Sequence, residues 1–84
     1  MTKQRKLVLR ILQGDSDNDF NFNEIRNLLI QMGFQERIKG SHHIFRKPGV
    51  SDMINLQRAG KHVKPYQVRQ IRYTLVKHGL IGIS

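Results

Sequence analysis

The sequence has no cysteine, no tryptophan and no long apolar run, and it is short of acid. Without cysteine there is no disulfide framework, no thiolate-held zinc and no thiol nucleophile. No apolar run exceeds four residues, too short for a bilayer span or for the apolar stretch of a signal peptide. A cytoplasmic protein without a membrane role is expected. With 84 residues, a single domain over 1–84 is expected. A chain this short buries only about 60–65 % of its unfolded surface, so its core is small.

Acid is the scarcest class. Six Asp and Glu face fifteen Lys and Arg, a formal net charge of +9. The imbalance is also local. Residues 1–36 hold five basic and five acidic side chains, and residues 37–84 hold ten basic ones against Asp52 alone. A surplus confined to one half of a small domain points to a surface that faces a polyanion. The plain alternative is a solvated basic face that keeps the protein soluble. A membrane-surface reading is weaker, because the basic residues are not gathered on one amphipathic helix.

Apolar spacing predicts a helix over 3–13, with Leu7, Val8, Ile11 and Leu12 on one stripe and Gly14 ending it. The run Asp15 to Asp19 reads as a polar loop, after which Phe20 and Phe22 return to the core. Asn23 is taken as the N-cap of a second helix that buries Ile25, Leu28, Leu29 and Met32 and stops at Gly33. From Phe34 the period becomes two. Strands are expected over 34–39, 42–47 and 53–57, joined by Gly40-Ser41 and by Pro48-Gly49. Pro65 suits the first turn of a last helix carrying Val68, Ile71, Leu75 and Tyr73, which ends before Gly79. The expected fold is α+β, with helices on one side of a three-stranded antiparallel meander.

Strand parity divides the chemistry. If Phe34, Ile38, Phe45, Ile54 and Leu56 point inward, then Arg37, Lys39, His42, Asn55 and Gln57 point outward. Parity also turns His43 inward beside Phe45, so adjacent histidines do different jobs. Ile44 shares the face of His42, which requires either a bulge or a partly exposed isoleucine. Histidine, with an unperturbed pKa of about 6.5, serves as acid or base near neutrality. RNA cleavage by its own 2′-hydroxyl needs such a group, with cations beside the phosphate. On chemistry alone, a surface histidine in a basic protein is more often a bystander. His62 and His78 read as ordinary surface residues. No metal site is expected, because the histidine pair diverges and no third ligand sits at suitable spacing.

The segment Gly33-Phe34, then Lys39-Gly40-Ser41-His42-His43-Ile44-Phe45, resembles the glycine–serine–histidine strand of HicA-type toxins, small bacterial mRNA interferases. Asn55-Leu56-Gln57, Gly60-Lys61 and Lys64-Pro65-Tyr66-Gln67-Val68-Arg69-Gln70 are similar to the end of the same family. The resemblance runs from about Phe22 to Leu80, leaving 1–14 as an N-terminal helical extension. It implies a fold like a double-stranded-RNA-binding domain, helix–three strands–helix. It also implies metal-independent endoribonuclease cleavage of mRNA and a HicB-type antitoxin partner that covers the active site. His42 falls on the family's catalytic histidine, and Gly40 and Ser41 shape the turn that presents it. Arg37, Lys39 and Lys47 are expected to hold phosphates near His42, and Lys61 and Lys64 to meet the RNA backbone beside the last helix. One departure is visible. Many members carry Pro-x-His near the third strand, where this chain has Leu56-Gln57-Arg58, so a second histidine is absent there.

The rival reading is a non-catalytic RNA-binding module of the same fold. It shares the sheet, the helix order and the charge, but has no reason to contain the Gly40-Ser41-His42 turn. A DNA-binding regulator is disfavoured, because no two-helix unit with a short turn precedes a basic recognition helix.

Overall fold

A computed structural model describes residues 3–80; the ends of the expected 1–84 unit, residues 1, 2 and 81–84, lie outside the described residues. Helices α1 (Lys3–Gln13) and α2 (Phe22–Gln31) precede strands β1 (Gln35–Lys39), β2 (His42–Lys47) and β3 (Val50–Leu56). A short hairpin, β4 (Arg58–Ala59) and β5 (His62–Val63), then leads into α3 (Pro65–Lys77). The architecture is the expected α+β order, with one hairpin that periodicity does not reveal.

Helix α1 buries Leu7, Val8 and Ile11 along its apolar stripe and packs on α3. Arg72 of α3 fastens the pair. Its Nε donates to the Ile11 carbonyl at 2.7 Å, and its other arm pairs with Asp17 in the polar loop. Helix α2 begins two residues earlier than the sequence suggests. Asn21, not Asn23, is the N-cap: its Oδ1 accepts the Glu24 amide at 3.1 Å. Phe22 is fully buried at the first helical position, so the chain must already be turning there. Asn23 instead accepts a hydrogen bond from Arg58 at 2.9 Å.

The three strands form one antiparallel sheet in the order β1-β2-β3. Lys39 faces His42 across a two-residue turn in which Gly40 has φ 60° and Ser41 stays in the negative region, the pattern of a type II′ hairpin. A side chain at Gly40 would be strained by that φ although nothing crowds it. Pro48-Gly49 makes the second turn, with Gly49 at φ 84°. Its type II sense splays strands, and the ladder absorbs the mismatch: between the pairs Phe45↔Ile54 and Lys47↔Val50, β2 supplies one residue and β3 three. Strand β3 consequently begins at Val50 rather than Met53.

The core lies between the sheet's inner face and the helices, where Phe20, Phe22, Phe45, Ile54, Leu56, Ile71 and Leu75 are fully buried. Each such side chain contributes roughly 1.5–3 kcal/mol relative to exposure. Two expected core residues are outside it. Ile38 is on the inward parity but 59 % exposed, because β1 is an edge strand and the covered position on it is taken by Glu36. Tyr73 is 58 % exposed on the outer side of α3. The β4–β5 hairpin is held from outside by backbone bonds: the Phe22 amide donates to the Lys61 carbonyl, and the Val63 amide to the Phe20 carbonyl, both at 2.9 Å.

Candidate active site

Strand β2 sends its two histidines to opposite faces, as parity requires. His43 is opposite Ile38 and Leu56 and points to the helices. Its Nδ1 is 2.8 Å from Oε2 of Glu36, and its ring meets the edge of Phe22 at 4.8 Å and 70°. Glu36 also receives both arms of Arg26, at 2.7–2.9 Å. The Arg26 bonds hold the Glu36 carboxyl below its usual range; burial opposes this, and His43 adds to it. Arg26 is raised in turn by the same pairing. His43 is a structural residue by these contacts, tied into a charged clasp between α2, β1 and β2.

His42 lies on the open face. Its Nδ1 is 3.2 Å from Oδ1 of Asn55 on β3. The register is continuous from His43↔Leu56 to Phe45↔Ile54, so no bulge intervenes at Ile44, which is a half-buried apolar residue beside His42. Lys39 is directly opposite His42 on β1, and Arg37 is opposite Ile44; both are exposed. Gln35, Arg37, Lys39, Ile44 and Arg46 line a shallow groove along this face. Arg46 was not among the expected binding residues, although the parity of His42 and Ile44 leads straight to it.

The Gly40-Ser41 turn is coupled to the start of α3. Lys64 Nζ donates to Gln57 Oε1 at 3.2 Å, and Gln57 Nε2 donates to Ser41 Oγ at 3.1 Å. Gln57 is itself fixed, since its amide donates to Oε1 of buried Gln67 at 2.9 Å. Lys64 is the N-cap of α3 and makes no side-chain cap bond; Pro65 follows in the first turn, which holds no acid. Gly40, Ser41, Lys64, Lys39 and Arg37 therefore converge on the region of His42. Lys47 does not. It lies five residues along β2, about 16 Å away at strand rise, and its ammonium sits against Gly33, where a Cβ would be 2.6 Å from Nζ. Lys61 occupies the tip of the β4–β5 hairpin, exposed, on a different sheet from His42. Arg58, where the family pattern has its second histidine, stacks over Phe22 at 4.3 Å from the ring centroid. Among the described residues no three His, Asp or Glu side chains converge as metal ligands, and no helix is long and apolar enough to cross a membrane.

No curated protein and no solved structure gives a significant match to the chain. A protein-family comparison does, to the family described as the HicA toxin of bacterial toxin-antitoxin, over residues 22–80. That span contains α2, the three-stranded sheet with its Gly40-Ser41-His42 turn, the hairpin and α3, and leaves out α1. Covering well over half of the chain, and the whole of the histidine-bearing face, the match shows that the chain belongs to the HicA toxin family of bacterial toxin–antitoxin systems.

Proposed function

We propose that this toxin is an endoribonuclease that cleaves mRNA through His42 and is neutralised by a HicB-type antitoxin. The observation that carries the reading is the position of His42: an imidazole anchored on an open sheet face, with Lys39 directly across and Arg37 on the same face. In the reaction, His42 takes the proton of the RNA 2′-hydroxyl. The 2′-oxygen bonds to the adjacent phosphorus as the bond to the 5′-oxygen breaks, leaving a 2′,3′-cyclic phosphate and a 5′-hydroxyl. The proton needed by the 5′-oxygen returns from the imidazolium or from solvent. Lys39 and Arg37 balance the charge gathering on the phosphate, and Lys64 and Lys61 hold backbone further along. Nucleophile and electrophile both belong to the RNA, so the chemistry requires no metal ion. The site of action is the cytoplasm, where the mRNA is. An antitoxin that covers the His42 face with complementary acidic side chains blocks RNA and associates faster with so basic a partner.

His42→Ala tests this. The fold should persist, with a change within about 0.5 kcal/mol, because the side chain contributes little to the core. Cleavage and growth arrest should fall by roughly a hundred- to ten-thousandfold, the range for a positioned acid–base group. A folded variant that still cleaves at the parental rate would remove His42 from the mechanism and favour the rival reading, a module that grips RNA without cutting it.

A further inference from the structure

We propose that Asn55 is a positioning residue that selects the tautomer of His42, so that Nδ1 carries the proton and Nε2 is the nitrogen that accepts the 2′-hydroxyl proton. The inference deepens the ribonuclease reading and rests on it.

Three observations lead to it. The amide oxygen of Asn55 is 3.2 Å from Nδ1, and a carbonyl oxygen only accepts, so that contact is a hydrogen bond when Nδ1 is protonated. A neutral imidazole protonated at Nδ1 keeps its lone pair on Nε2, and among the described residues nothing bonds to Nε2. Asn55 also sits where its residue type has no packing reason to be. Asparagine is a poor strand former, yet it occupies the interior of β3 between fully buried Ile54 and Leu56. Those neighbours and the ladder pairs His43↔Leu56, Ile44↔Asn55 and Phe45↔Ile54 fix its backbone, so the amide is carried by the sheet rather than by a loop. The arrangement is the one by which a carboxylate or carbonyl sets the working nitrogen of a histidine: the partner of one nitrogen decides what the other can do.

The test has two readouts on the intact chain. Long-range nitrogen–proton NMR of the neutral His42 ring reports the tautomer without any cleavage. The expected spectrum shows Nδ1–H in the parent and in Asn55→Asp, and loss of that preference in Asn55→Leu. An Nε2–H ring in the parent, or an Asn55→Leu ring with the parental tautomer, overturns the proposal. Cleavage kinetics supply the second readout. Asn55→Leu should lower kcat by roughly ten- to a hundredfold, as removal of an orienting partner does for a metal-bound histidine, with little change in KM. Asn55→Asp should keep a high plateau but move the rising limb of the pH–rate profile to higher pH, since a carboxylate favours the imidazolium. Parental kcat in Asn55→Leu, with His42→Ala inactive, sinks the role of Asn55 and leaves the ribonuclease reading standing. An active His42→Ala sinks that reading instead.

Discussion

His42 and His43 are neighbours in sequence and share almost nothing else. The pleat of β2 gives one to a basic open face and the other to a clasp of Glu36 and Phe22. Removing each should therefore fail in a different assay. His43→Ala loses a hydrogen bond to a charged partner and a ring contact, so it should cost about 1–3 kcal/mol while the folded fraction still cleaves RNA; thermal unfolding beside a cleavage assay separates the two. Glu36 makes the clasp sensitive to acid. Its carboxyl is held low in the folded protein, first by Arg26, so it favours folding above the ordinary carboxyl range and that contribution is lost as pH falls through the lowered value. Asp52 behaves in the same sense through His78 and Lys77, at the junction of β3 and the end of α3. Glu36→Gln should be less stable than the parent at pH 7, with the difference shrinking below about pH 4. Unfolding midpoints measured from pH 7 to pH 3 check this, and a gap that widens toward acid contradicts it.

At the scale of elements, caps and turns decide where each segment begins. Asn21 and Asn23 are the same residue type two positions apart, but only Asn21 has Glu24 three residues on, the spacing of a capping box. Asn21→Ala should cost about 1 kcal/mol. Asn23→Ala loses one exposed bond to Arg58 and should stay within about 0.5 kcal/mol. Chemical denaturation of the two variants is sufficient, and equal costs would contradict the cap assignment. The Gly40-Ser41 turn works in the same way for the site. It pins Lys39 opposite His42, and through Ser41, Gln57 and Lys64 it ties that register to the start of α3.

Across the whole molecule, four of the six acids are engaged in ion pairs with groups other than the cations of the open sheet face. Asp17 holds Arg72, Asp19 faces Arg10, Glu36 holds Arg26 and Asp52 holds Lys77. None of these pairs involves Arg37, Lys39 or Arg46, which line one groove and by strand register share the face of His42. The charge asymmetry of the sequence thus becomes a charged surface rather than a network of ion pairs. The three cations of the open face should contribute about −2 to the slope of log binding constant against log salt, near −0.7 per phosphate, and Lys61 and Lys64 should steepen it further. Replacing both Arg37 and Lys39 with Ala should flatten the slope by about 1.4. Lys47→Ala should leave it unchanged, because that ammonium lies beside Gly33. Titrations with an uncleavable RNA at several salt concentrations measure all three, and a flat parental slope would count against the open face as the RNA surface.

The α+β order, the strands of the meander, the two faces of β2 and the basic second half are all legible in the residues, because periods of 3.6 and 2 and the sum of charges are local properties. The Gly-Ser-His turn carries the family resemblance for the same reason. Other features depend on which distant groups meet. Strands β4 and β5 are two residues each and carry no period; backbone bonds from Phe20 and Phe22, some forty residues earlier in the chain, are what hold them. Ile38 has the right parity for the core and is left exposed at an edge that the helices do not cover. Lys47 has a basic side chain on the correct strand and at the wrong end of it. Asn55 stands on the expected face, but its contact with His42 depends on the register between two strands. Local pattern chose the elements and their faces; the coming together of distant segments chose which polar groups became partners, because a hydrogen bond needs its two atoms within about 3 Å and no sequence spacing prescribes that across a fold.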